Sequence, residues 1–172
     1  MNNPADLVTP KLVQYCSRFP FIAICGFTKT GKITIARKLA QELQRDLIIS
    51  DNYSLEVYGD QTLEAFMGAI EKKLATNTPV IAEGILCFRM LRKGIQLRTL
   101  FPDLVIRTEC DEPTIRHFYK KDGEVHKIDK ALAFNKGLTK IWNDYQQLLT
   151  ATPGIKKPEY LELNTSLLRY GL

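Results

Sequence analysis

Residues Gly26 to Lys32 read Gly-Phe-Thr-Lys-Thr-Gly-Lys, a G-x-x-x-x-G-K pattern. No other feature of the chain constrains its fold as tightly. The two glycines let the backbone curl until its N–H groups converge on one anion. A helix starting directly after the loop adds the positive end of its dipole. Both neighbours suit that geometry. Phe19 to Cys25 (FPFIAIC) is a short apolar run and predicts a strand buried on both faces. Ile33 to Arg45 sets Ile35, Ala36, Leu39, Ala40 and Leu43 on one helical face. Gly26, Phe27, Thr28, Lys29, Thr30, Gly31, Lys32, Ile33 and Thr34 therefore form the candidate phosphate-binding segment, with Lys32 near the β and γ phosphates of a nucleotide.

The pattern normally continues with Ser or Thr, whose hydroxyl holds Mg²⁺. Ile33 stands there instead. Thr34 follows, but one residue turns a helix by about 100°, so its hydroxyl is expected to point elsewhere. A metal could then be held through water, by Asp51 or Glu83, or hardly at all.

Strand and helix patterns alternate along the rest of the chain. Asp6 to Arg18 predicts a short amphipathic helix, with Pro10 set against it. Leu47–Ser50, Pro79–Ala82 and Leu104–Thr108 are short apolar runs of strand type, and Glu159–Leu163 suggests a fifth strand. Thr62–Thr76 and Asp129–Leu149 carry helical spacing, and Asp111-Glu112-Pro113 has the form of a helix start. Such alternation predicts an α/β domain with a mainly parallel sheet, whose ligands sit beyond the carboxyl ends of its strands.

That rule selects Asp51 after strand two and Glu83 at the end of strand three. Asp51 could act as base toward a substrate hydroxyl, hold metal through water, or only shape a turn. Glu83, followed by Gly84, is the other candidate metal carboxylate. Arg116, Lys120 and Lys121 could fold over transferring phosphates, or form an ordinary solvated face. Arg89, Arg92, Lys93 and Arg98 form a second basic group, open to the same two readings.

Composition sets the outer bounds. Lys and Arg outnumber Asp and Glu by 24 to 19 in 172 residues, a net charge of +5. That balance suits an anionic ligand without identifying nucleic acid. Cys16, Cys25, Cys87 and Cys110 form no C-x-x-C pair and are expected to be buried free thiols. His117 and His126 have no metal-ligand spacing and are expected at the surface, whereas Trp142 and Tyr145 fit a core helix. With no signal-like or membrane-spanning run, a soluble cytoplasmic protein is expected.

Taken in order, these residues resemble the P-loop small-molecule kinases, most closely the uridine kinase-like nucleoside kinase group. The resemblance rests on Gly26 to Lys32, Ser50-Asp51-Asn52-Tyr53, Val80 to Leu86 (VIAEGIL), and Leu104-Val105-Ile106 with the basic segment ending Lys120-Lys121-Asp122. It covers about Phe19 to Asp122, with a weaker echo to Leu163. It implies a three-layer α/β/α P-loop NTPase fold with a five-stranded parallel sheet of order 2-3-1-4-5. The whole of 1–172 would be one domain, with 1–18 as a helical extension and about 112–128 as a lid. The donor implied is ATP or another nucleoside triphosphate with Mg²⁺, and the acceptor a nucleoside-like hydroxyl compound. Lys32, Asp51 and Arg116 fall at catalytic positions, and Asp51 and Glu83 at metal-assisting ones.

This sequence departs from that family in three places. Ile33 replaces the metal-binding hydroxyl residue, Arg116 is the one arginine of the lid segment, and 28 residues separate Asp51 from Val80. Three alternatives stay open at this point. One is nucleotide binding with little or no transfer, another is a kinase acting on a nucleic-acid hydroxyl, and the third is a partner-binding α/β domain.

Overall fold

The computed structural model describes residues 3–166. Met1, Asn2 and residues 167–172, which the expected single domain includes, lie outside the described residues. Strands β1 (Phe21–Gly26), β2 (Asp46–Ile49), β3 (Val80–Glu83), β4 (Leu104–Glu109) and β5 (Glu159–Asn164) form one sheet. Its order is β2-β3-β1-β4-β5, and every pairing is parallel. The helices are α1 (Pro10–Cys16), α2 (Lys32–Leu43), α3 (Leu55–Tyr58), α4 (Thr62–Ala75), α5 (Leu86–Leu97), α6 (Glu112–Lys121) and α7 (Ile128–Ala151).

Burial explains the apolar runs. Every residue of β1 and β3 is buried, because both strands lie inside the sheet and are covered on both faces. Successive β1 side chains serve two different cores. Ala23 and Cys25 join Phe66, Ile70, Phe88, Met90 and Trp142 from α4, α5 and α7. Ile22 and Ile24 join Leu12, Cys16, Ile35 and Leu39 from α1 and α2. The chain turns outward from β1 to β2, then returns through β3 and crosses to β4. Loops leaving the carboxyl end of β1 and its neighbours therefore diverge, which opens a crevice there.

The bounds of the expected strands and helices fall within one or two residues; the short α3 was not expected, and two further corrections follow. The N-terminal segment is not one helix. A 3₁₀ turn over Pro4–Leu7 is followed by a break, and α1 starts at Pro10. Proline lacks the N–H that a helix interior needs but fits the first turn. Thr9 caps that start, its hydroxyl accepting the Leu12 N–H at 3.2 Å. The second correction is α5, a full helix where only a basic group was read. Its start has no side-chain cap and its outer face is cationic, so the buried Cys87, Phe88, Met90, Leu91 and Ile95 were masked.

All four cysteines are free and buried. His117 and His126 are exposed, and Trp142 and Tyr145 lie in the core. Among the described residues no helix is long and apolar enough to cross a membrane.

Two helical glycines make a matched test. A Cβ at Gly94 would lie 2.7 Å from the Thr99 carbonyl oxygen, where the chain folds back after α5. A Cβ at Gly68 on α4 would meet nothing within 4 Å. Alanine gains about 1 kcal/mol of helix propensity at either site, while over-packing costs about 1–3 kcal/mol. Gly68→Ala is expected to raise the urea midpoint and Gly94→Ala to lower it. A Gly94→Ala protein more stable than the parent would contradict the close approach.

Candidate active site

The loop after β1 is held from several sides. Gly26 pairs with Thr108 across β1 and β4, and any Cβ at Gly26 would overlap the Thr108 hydroxyl. That hydroxyl meets Thr30 Oγ1 at 2.7 Å, and Thr30 donates to the Phe27 carbonyl at 3.0 Å. The Thr28 N–H donates to Asn135 Oδ1 on α7 at 3.1 Å. Phe27 lies 5.7 Å from the Arg107 guanidinium, which also stands 5.0 Å from the Trp142 ring. Gly31 then opens α2 in the left-handed region, with φ +71°. The N-terminal strap closes over it, since a Cβ at Gly31 would run into Pro4.

Two lysines leave this loop in different directions. Lys32 Nζ folds back to the Phe27 carbonyl at 3.1 Å. Lys29, itself left-handed at φ +58°, pairs with Asp122 at 2.6 Å and Glu124 at 3.2 Å, just past α6. The Asp122 carboxylate holds the Lys29 ammonium above its ordinary value, with Glu124 helping and burial opposing.

A cavity of about 510 Å³ opens in front of the loop, lined by Lys29 to Thr34, Pro4, Asp51, Phe118 and Thr165. A second, of about 520 Å³, lies among Ser50, Asp51, Tyr53, Leu63, Ile85 and Arg89 and their neighbours. Among the described residues Asp51 is the one that lines both.

Glu83 sits behind them. It pairs in register with Ile24 on β1 and Ile49 on β2, and it is 2% exposed. Its carboxylate has no hydrogen bond or ion pair among the described residues. Burial pushes it up to about 7, against the attraction of Lys32 and with a small push from Asp51. Gly84 follows at φ +124°, because the Ser50 hydroxyl takes the space of any side chain there. Among the described residues no cluster of three His, Cys, Asp or Glu forms a self-sufficient metal site. Two carboxylates beside a phosphate loop suit a cation held mainly by its phosphates.

No family model matches the chain, and no curated protein matches it. Solved structures do. A "putative kinase" from Chloroflexus aurantiacus J-10-fl superposes with a TM-score of 0.54 at 16% identity, over 87% of this chain and 89% of its own. The shikimate kinase of Acinetobacter baumannii, solved in complex with shikimate, gives 0.50 at 18% identity, over 88% and 86%. The chain has the P-loop kinase fold.

Within this P-loop kinase fold the nine motif residues divide. Lys29, Thr30, Gly31, Lys32, Ile33 and Thr34 line the first cavity, while Gly26, Phe27 and Thr28 stand behind it. Ile33 and Thr34 both line that space. Asp51, Glu83 and Lys32 come together electrostatically. Arg116 does not join them; its guanidinium is paired with Glu112 at 2.7 Å on α6 itself. Lys120 and Lys121 are exposed, and α6 sends Phe118 to the cavity instead.

Sequence reasoning missed Thr108, Asn135, Pro4 and Phe118. Asn135 had a signal. It occupies a core position in the series Ile128, Ala131, Asn135, Leu138, Trp142 and Tyr145. An amide at such a position needs partners; the loop gives one to Oδ1 through the Thr28 N–H, while the buried Nδ2 has none among the described residues.

The Glu83 value makes a pH prediction. The folded carboxyl titrates at about 7 and the unfolded one near 4.5, so the native state binds the extra proton between those values. Stability therefore falls as pH rises through that window, by up to about 3 kcal/mol once complete. Glu83→Gln removes this loss. Urea unfolding is expected to show equal stabilities near pH 4.5 and a more stable variant, by about 2–3 kcal/mol, above about pH 8. Equal stabilities at the higher pH would refute the raised value.

Proposed function

We propose that this protein is a P-loop kinase that transfers the γ-phosphoryl group of ATP, or another nucleoside triphosphate, to a hydroxyl of a nucleoside-like small molecule. The observation that carries the reading is Asp51, which among the described residues alone lines both the phosphate-loop cavity and its neighbour. The first cavity takes the donor and the second the acceptor. Tyr53, stacked on Tyr58 with ring centroids 5.4 Å apart, gives the second cavity a flat wall suited to a ring-bearing alcohol.

In this reading the loop N–H groups and Lys32 hold the donor phosphates. Asp51 orients the acceptor hydroxyl and takes its proton as the oxygen bonds to the γ-phosphorus and the bond to ADP breaks. Asp51 and Glu83 would help to hold Mg²⁺, which when bound would offset charge on the phosphates. The segment 112–128 acts as the lid, tethered through Lys29 and bringing Arg116, Lys120 and Lys121 toward the phosphates on closure. The N-terminal extension braces the loop from outside through Pro4, as part of a single domain.

Ile33 favours a second reading, nucleotide binding without transfer. Thermal shift with ATP, with and without Mg²⁺, separates the two. A ligand at about a hundredfold its Kd adds about 2.7 kcal/mol, roughly 5–10 °C for a chain of this size. The kinase reading expects a metal-dependent shift that Lys32→Ala abolishes. Asp51→Asn is expected to keep the ATP shift while turnover falls by about 10²–10⁴. A shift indifferent to metal, with no ADP release from any hydroxyl compound, supports the binding protein. In that case Ile33→Ser is expected to restore metal dependence.

A further inference from the structure

The basic group on α5 has no part in the scheme above, yet it adjoins the acceptor cavity. A third cavity, of about 570 Å³, lies over the outer face of α5 between the first turn of α4 and the middle of α7. It shares Leu63 and Arg89 with the acceptor cavity, so the two abut along those side chains. Its cations are Arg89, Arg92 and Lys93 from α5 and Lys140 from α7. The three on α5 are spaced i, i+3 and i+4 and so share one face.

A solvated helix face ordinarily mixes signs and pairs them along the helix. The α2 helix does so, joining Lys38 to Glu42 at 2.6 Å. By contrast, α5 has no acidic residue anywhere from Leu86 to Leu97. Its cations reach outward for weak partners, Arg92 to Asp144 at 3.5 Å and Lys93 to Glu64 at 4.0 Å. Arg89 and Lys140 have no ion-pair partner among the described residues. Four cations against two carboxylates, in a concave wall, leave a focused positive field.

We infer that the acceptor is a phosphate-bearing hydroxyl compound, a small phosphomonoester whose anion lies against Arg89, Arg92, Lys93 and Lys140 while its hydroxyl reaches Asp51. This rests on the acceptor reading of the second cavity. Arg89 links the two halves, and its planar fork matches a phosphate's oxygens. Both cavities fall within the roughly 300–1,000 Å³ that small ligands occupy, which favours a small ester over a polynucleotide.

The test uses matched acceptors, nucleosides against their 5′-monophosphates and sugars against their phosphate esters, in an ADP-release assay. The phosphate-bearing member of a pair is expected to have the higher kcat/KM, by about tenfold or more. Arg92→Ala combined with Lys140→Glu is expected to raise its KM by about tenfold, with kcat and the KM for ATP unchanged. Equal use of the uncharged member, or an unmoved KM in the double variant, would overturn the inference.

If no compound turns over, the kinase reading fails separately and binding alone decides the subsite. Heteronuclear NMR of the Lys32→Ala protein would then be followed during titration with glucose 6-phosphate. Saturable shifts at the amides of residues 89–93 that vanish on adding Lys140→Glu support the anion subsite. Their absence overturns it.

Discussion

Two threonine hydroxyls, 2.7 Å apart in the interior, hold the rest of the site in place. Thr108 belongs to β4 and Thr30 to the phosphate loop, so their contact ties the loop to the sheet rather than to its own flanks. Thr108 also fills the position where Gly26 has no side chain, bringing the start of the loop against β4. Asn135 takes the Thr28 N–H from the other side. That contact braces the loop from α7 as well as from the sheet.

Around that turn the charges are graded by burial. Glu83 is held in the interior, where desolvation raises it to about 7 and Lys32 pulls it back. Asp51 is exposed and stands where the two cavities meet. A carboxylate inside the sheet is costly to keep ionised unless a cation approaches. The two acids can therefore serve different ends although they follow neighbouring strands. The Lys29 ion pairs add a third element, joining the loop to the residues past α6.

Much of this was legible before any coordinates. The G-x-x-x-x-G-K spacing lay between a buried run and an amphipathic stretch, and β1, the loop and α2 form there. Parallel strands inside a sheet read as unbroken apolar runs, so β3 and β4 were visible as well. The α5 helix was not, because its outer face is a row of cations and no cap marks its start. An apolar pattern does not show that Pro10 must begin a helix rather than lie inside one, so it predicts too long an N-terminal helix. The position of Arg116 suits a lid over phosphates, yet its own helix offers Glu112 one turn away.

Local chemistry, then, settles the elements themselves: which runs are strands, that the G-x-x-x-x-G-K turn lies between β1 and α2, and that Asp51 and Glu83 stand at strand ends. Spacing and side-chain type act over a few residues, and those conclusions need no more. Tertiary structure alone decided which distant residues shape the loop and how charges are shared near it. Thr108 meets Thr30 across 78 positions, Asn135 meets Thr28 across 107, and Pro4 closes on Gly31. Such partners come from sheet order and helix packing, which bring together ends of the chain that no local pattern relates.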